Sequence, residues 1–159
     1  MVRAAEPHDV RAICAFGAAH VGRHYEPLIG ARAAEEQVRR WWNETEIAAA
    51  VARGVVVVAE TGGRIVGVGQ RGRNGPDHVV YKLYVHPEQR GRGLGPRLLA
   101  ALIGQLPADA VRLYIEHFAA NERAGAFYER EGFVVERIEP GSTEALGVVW
   151  RVRELVRPG

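Results

Sequence analysis

The stretch Leu83-Tyr84-Val85-His86-Pro87-Glu88-Gln89-Arg90-Gly91-Arg92-Gly93-Leu94-Gly95-Pro96-Arg97-Leu98-Leu99 decides how the chain is read. A β-prone run stops at Pro87, three glycines follow at alternate positions, and an apolar helical pattern begins. Such a loop presents backbone N–H groups that no helical turn yet uses. The positive end of the helix dipole and the neighbouring arginines favour an anion there, most often a phosphate. Glycine lets a ligand approach bare backbone and permits positive φ. A plain strand-to-helix turn would use the same residues, so the rest of the chain has to decide.

Downstream of the loop, a helix is expected over residues 93–106, ended by Pro107. Residues 111–116 read as a strand and 121–131 as a helix, with Asn121 as N-cap and Gly132 just past its end. Two strands, 133–138 and 148–152, close the pattern around the Gly141-Ser142 turn.

Upstream, Val55 to Ala59 is a β-branched run too short for a convincing helix. Thr61-Gly62-Gly63 turns it into a strand over 64–70, and Asn74-Gly75-Pro76-Asp77 turns again into a strand over 79–85. Before this meander, the spacing predicts a short strand at 2–5, a helix at 7–19, and a helical region at 31–52 split near Asn43. Residues 20–30 carry Gly22, Pro27 and Gly30 and read as a loop. The order suits a single α/β domain over 1–159: a mixed, mostly antiparallel sheet with helices on both faces.

Composition narrows the function. The 159 residues carry a net charge of only +2, and the basic pI reflects twenty arginines beside a lone lysine, Lys82. That is too little excess charge to argue for a nucleic-acid partner. No apolar run approaches bilayer length, and the charged N-terminus lacks a signal-peptide core, so a cytoplasmic protein without a membrane partner is expected. Cys14 is the sole cysteine and Ser142 the sole serine, which argues against a nucleophile with a triad. His20 and His24 have helical i,i+4 spacing, but the loop character around them and the lack of a second ligand pair argue against a metal. The glycines do not follow the G-x-G-x-x-G of dinucleotide sites, and no Gly-Lys-Ser/Thr follows for a nucleotide P-loop.

Arg90-Gly91-Arg92-Gly93-Leu94-Gly95, directly after Leu83-Tyr84-Val85-His86-Pro87, resembles the pyrophosphate loop of the GNAT superfamily of acyl-CoA-dependent N-acetyltransferases. A second block, Asn121-Glu122-Arg123-Ala124, Phe127-Tyr128-Glu129 and Gly132-Phe133, resembles the family's downstream motif at the same place in the element order. The resemblance implies a GNAT fold with a splayed CoA-binding cleft and acetyl-CoA as cosubstrate. Backbone amides from Arg90 through Gly95 would hold its pyrophosphate, with Arg90 and Arg92 adding charge. The backbone of Leu83, Tyr84 and Val85 would pair with the pantetheine arm, and Val85 N–H would polarise the thioester carbonyl. Asn121 would hold the pantetheine arm or cap its helix.

Tyr128 matches the family tyrosine that protonates the departing thiolate; an ordinary phenol stays protonated at neutral pH. Packing beside Phe127 is the competing role. Many family members carry a carboxylate where this chain has Val79, so the base is sought elsewhere: Glu116 first, with His117 and His78 as other choices. The implied activity is direct transfer to an amine, on a small molecule or a peptide N-terminus, without a metal; dimers are common among such folds. A non-catalytic CoA-binding sensor or structural module on the same fold is the rival. His20, His24, Tyr25, Trp41 and Trp42 are available to receive an amine through cation–π contact.

Overall fold

The computed structural model describes residues 1–155. Seven strands form one mixed sheet in the order β1-β2-β3-β4-β5-β7-β6. They are β1 Val2–Ala4, β2 Val56–Thr61, β3 Arg64–Asn74, β4 Asp77–Val85, β5 Arg112–Phe118, β6 Val134–Glu139 and β7 Val148–Glu154. The helices are α1 Val10–Phe16, α2 Gly22–Ile29, α3 Ala31–Trp41, α4 Glu44–Ala52, α5 Leu94–Gly104 and α6 Glu122–Arg130. The β1–β2, β2–β3, β5–β7 and β6–β7 pairs are antiparallel. β4 and β5 are parallel, as a helical crossover requires. Among the described residues, no helix is long and apolar enough to cross a membrane.

The expected elements are found with one substantial correction. Residues 20–30 are helical, not a loop: a π turn over Gly17–Val21 leads straight into α2, which ends only at Gly30 with φ +91°. Gly22 and Pro27 are local breakers, but Val21 and Tyr25 are buried, and Gly22 sits against Val38 of α3. Tertiary burial outweighs the propensity cost. Asn43 splits the next helical region as expected, its side chain accepting from Glu46 N–H at 2.9 Å to start α4. β3 continues past Gln70 to Asn74, and β5 past Glu116 to Phe118, where it still pairs with Val148.

The chain divides into two compact units, each built from separated segments. The first comprises Met1–Gln70 and Lys82–Gln105. Its core is formed by the β2 valines, Ile13, Ile47 and the α5 leucines Leu98, Leu99 and Leu102. Gly17 lies beneath Trp42; a Cβ there would fall 2.5 Å from the indole, so glycine lets the turn after α1 and the Trp42 ring meet. Arg3 ties β1 to the first turn through both oxygens of buried Asp9, at 2.7 and 2.9 Å. The second unit comprises Arg71–Tyr81 and the chain from Leu106 onward. There Val79, Tyr114 and Trp150 form a buried cluster flanked by Val148 and Val152.

Candidate active site

In the first unit, the stretch after β4 folds as a backbone cradle. His86 N–H bonds Val66 O at 2.7 Å, and its ring Nδ1 accepts from Glu88 N–H at 3.1 Å, starting a short 3-10 turn over Pro87–Gln89. Gly91 and Gly93 then take φ of +79° and +77°, where side chains are strained. Gly93 is the N-cap of α5 and has no side chain to satisfy the first amides. Pro96 has no N–H, and Arg97 N–H makes the first backward bond, to Gly93 O at 3.3 Å. The Leu94 and Gly95 amides therefore stand at the positive end of a helix dipole without an intrahelical partner. The β4–β5 ladder pairs Val79 with Tyr114 and Val80 with Ile115; Leu83, Tyr84 and Val85 lie beyond these pairs.

On β4, Lys82 and Tyr84 share a face with the aromatic residues of the early helices. Tyr25 and Tyr84 hydroxyls bond one another, and Tyr84 meets Trp42 edge-on at 5.4 Å. Lys82 is 6% exposed; its Nζ donates to Gln70 Oε1 at 3.0 Å and lies 5.4 Å from the Trp42 ring. Burial pulls its pKa down to about 8, with Glu46 and Cys14 opposing. The face of Trp42 thus already holds a cation from within the chain. Trp41, the other expected amine receptor, has Arg40 above it at 5.8 Å. His20 packs on His86 and Phe16, His24 on Tyr25 and Tyr84, so the two histidines serve different neighbours. Cys14 is half-buried, and burial pushes its thiol pKa up, which keeps it protonated and inert. Glu6, His8 and Asp9 lie close enough to share an ion, but Arg3 engages both Asp9 oxygens.

In the second unit, β5 separates two kinds of chemistry by its alternation. Register pairs Tyr114 with Val152 and Glu116 with Trp150 on one face; Ile115 with Arg151 and His117 with Val149 fall on the other. Glu116 is half-buried within the strand, not at its end. Its pKa is raised, chiefly by burial, with Glu139 adding and Arg137 opposing. On the opposite face Arg151 Nε donates to His117 Nε2 at 3.0 Å, which leaves His117 Nδ1 to carry the proton and donate to Phe118 O at 2.9 Å. Both ring nitrogens are engaged, and burial lowers the His117 pKa. His117 has no lone pair to offer a substrate proton in this arrangement. At His78, the third choice, burial and then Arg73 and Arg71 depress the pKa.

Tyr128 joins His117 on that second face, the rings stacked at 6.1 Å. Three local devices place it. Asn121 Oδ1 accepts from Ala124 N–H at 3.3 Å and starts α6, so the capping role of Asn121 is realised. Gly125 lets α6 approach closely, since a Cβ there would lie 3.2 Å from both Arg151 and His117. At the far end Gly132, φ +91°, donates to Glu129 O, and Phe133 N–H bonds Tyr128 O at 2.9 Å. This 6→1 plus 5→2 closure is a Schellman motif, and its apolar contact is the Tyr128–Phe133 ring pair at 5.9 Å. Arg151 and Trp150 escape a sequence reading because only the β5–β7 register brings them beside His117 and Glu116.

The fold is shared with acetyltransferases of known structure. PaiA N-acetyltransferase of Thermoplasma acidophilum, solved with coenzyme A, superposes with a TM-score of 0.81 over 98% of each chain at 13% identity. YncA of Salmonella typhimurium, solved with acetyl-CoA, gives 0.68 at 21% identity, covering 100% of this chain and 95% of the other. The acetyltransferase (GNAT) domain family matches residues 52–135, and the chain belongs to that family. By sequence it is 33% identical over 139 residues to mycothiol acetyltransferase of Propionibacterium freudenreichii. That match covers 79% of this chain and 41% of the relative's length.

Proposed function

We propose that the protein is a cytoplasmic N-acetyltransferase that moves the acetyl group of acetyl-CoA directly to an amine. The observation that carries the reading is the division across β5. A carboxyl with a raised pKa stands on one face, and Tyr128 is held on the other. Attack and departure involve two different substituents of the thioester carbon, so two groups set apart can serve separately as base and acid. In this reading Glu116 takes a proton from the acceptor ammonium, the nitrogen–carbon bond forms, and the carbon–sulfur bond breaks as Tyr128 gives its proton to the thiolate; the extra proton left on the acylated nitrogen returns through solvent to the Tyr128 phenolate.

The cosubstrate is assigned on family membership together with the cradle. Leu94 and Gly95 amides, the left-handed Gly91 and Gly93, and the charges of Arg90 and Arg92 suit a pyrophosphate. Leu83, Tyr84 and Val85 supply backbone for the pantetheine arm, and Val85 N–H polarises the carbonyl. With its oxygen committed to the α6 cap, Asn121 offers the arm its amide nitrogen. Thiol release from acetyl-CoA, measured against a panel of small amines and short peptides, tests the reading. Amine-dependent release is expected. CoA binding without release for any acceptor would instead identify a CoA sensor or structural module.

A further inference from the structure

The indole N–H of Trp150 is buried and has no hydrogen-bond partner among the described residues. Trp150 itself is 7% exposed. Burying a polar hydrogen unpaired costs free energy, and native structures rarely leave one without a reason. Its position suggests the reason. Trp150 is the direct cross-strand partner of Glu116, so the two side chains leave the same face of the sheet about 5 Å apart. One of these neighbours offers a proton acceptor and the other a hydrogen-bond donor.

The charges around the pair are Glu116, Glu139, Glu136 and Arg137. Arg137 lies 4.6 Å above the Trp150 ring and is already bonded to Glu136 at 2.7 Å and Glu139 at 3.3 Å. A ligand carboxylate would meet carboxylates and no uncommitted cation there. A neutral carbonyl oxygen beside an ammonium group meets complementary partners on both counts.

We propose that Trp150 Nε1–H receives the carbonyl oxygen of an α-amino amide, whose amine faces Glu116, so that the acceptor class is the aminoacyl amide or peptide N-terminus. This rests on the transferase reading for the role of Glu116. It assigns Trp150 as the specificity determinant on that face.

The test compares L-alaninamide with isopropylamine, which replaces the carboxamide by a methyl group, and with L-alanine. Because these amines differ in basicity, the readout is the ratio of kcat/KM between alaninamide and isopropylamine, in wild type and in Trp150→Phe. Loss of one neutral hydrogen bond should lower that ratio about tenfold. An unchanged ratio overturns the proposal, and preference for L-alanine over L-alaninamide overturns the neutral-carbonyl assignment. A second measurement needs no turnover and no variant fold: the indole ¹H–¹⁵N resonance of Trp150 in wild type with CoA present. It should shift on titration with alaninamide and stay in place with isopropylamine. If no amine is acetylated and that resonance still shifts, the transferase reading fails and the acceptor site stands. If alaninamide leaves it unmoved, the acceptor site falls, whatever the enzyme's activity.

Discussion

The cradle at residues 90–95 and the two faces of β5 are built by opposite means. The cradle is backbone: left-handed glycines, a capless helix start and amides aimed by local geometry. The β5 region is side chain: a carboxyl and an imidazole–guanidinium pair set by partners distant in sequence, with a phenol from α6 stacked beside the imidazole. Backbone recognition tolerates almost any side chain that keeps the φ values, whereas the β5 chemistry depends on one strand register. A one-residue slip of β7 against β5 would set Arg151 or Val149, and not Trp150, opposite Glu116.

The largest expected effect falls on the side-chain region. Tyr128→Phe keeps the ring that packs on Phe133 and His117 but removes the hydroxyl. Its kcat should fall about 100-fold with CoA affinity nearly intact. Unchanged turnover would make Tyr128 a packing residue and remove the contrast between the regions. Gly93→Asp attacks the other side. Aspartate at an N-cap favours the helix, but here it must adopt φ +77° and would face the proposed pyrophosphate with like charge. CoA affinity should drop about tenfold or more with thermal stability little changed, as measured by calorimetric titration beside a melting curve; normal affinity would discard the cradle.

Lys82 separates structure from chemistry. Its pKa is near 10.5 when unfolded and about 8 when buried, so between those values the unfolded chain holds a proton the native state has released. Unfolding free energy should therefore rise from pH 8 to about 10.5, by an amount on the order of 3 kcal/mol. Lys82→Met should abolish that rise and raise stability at pH 7, as read from urea unfolding at several pH values. A variant with the same pH dependence as wild type would place the cause elsewhere.

What could be read from the sequence follows the same division. Gly91, Gly93, Asn121 and Gly132 act within a few residues of themselves, so their turns and caps are visible in the chain order. The strands and the split at Asn43 are visible for the same reason. Helix α2 was hidden because Gly22 and Pro27 are strong local signals, and only the burial of Val21 and Tyr25 overrides them. Lys82 is visible in the sequence as the lone lysine, but its place against Trp42 depends on the packing of β4 on the early helices. The neighbours of Glu116 and His117, Trp150 and Arg151, stand 34 residues away from them, a separation that no local pattern bridges.

The acid–base division across β5 is tested most directly by the pH profile of kcat for wild type and Glu116→Gln. Burial holds the Glu116 carboxyl above its ordinary pKa. The wild-type rate should fall on the acid side as Glu116 takes up a proton, with a midpoint above the usual carboxylate range. In Glu116→Gln that limb should vanish, leaving a low, flat rate there. The same acid limb in both proteins would contradict the assignment of Glu116 as the base.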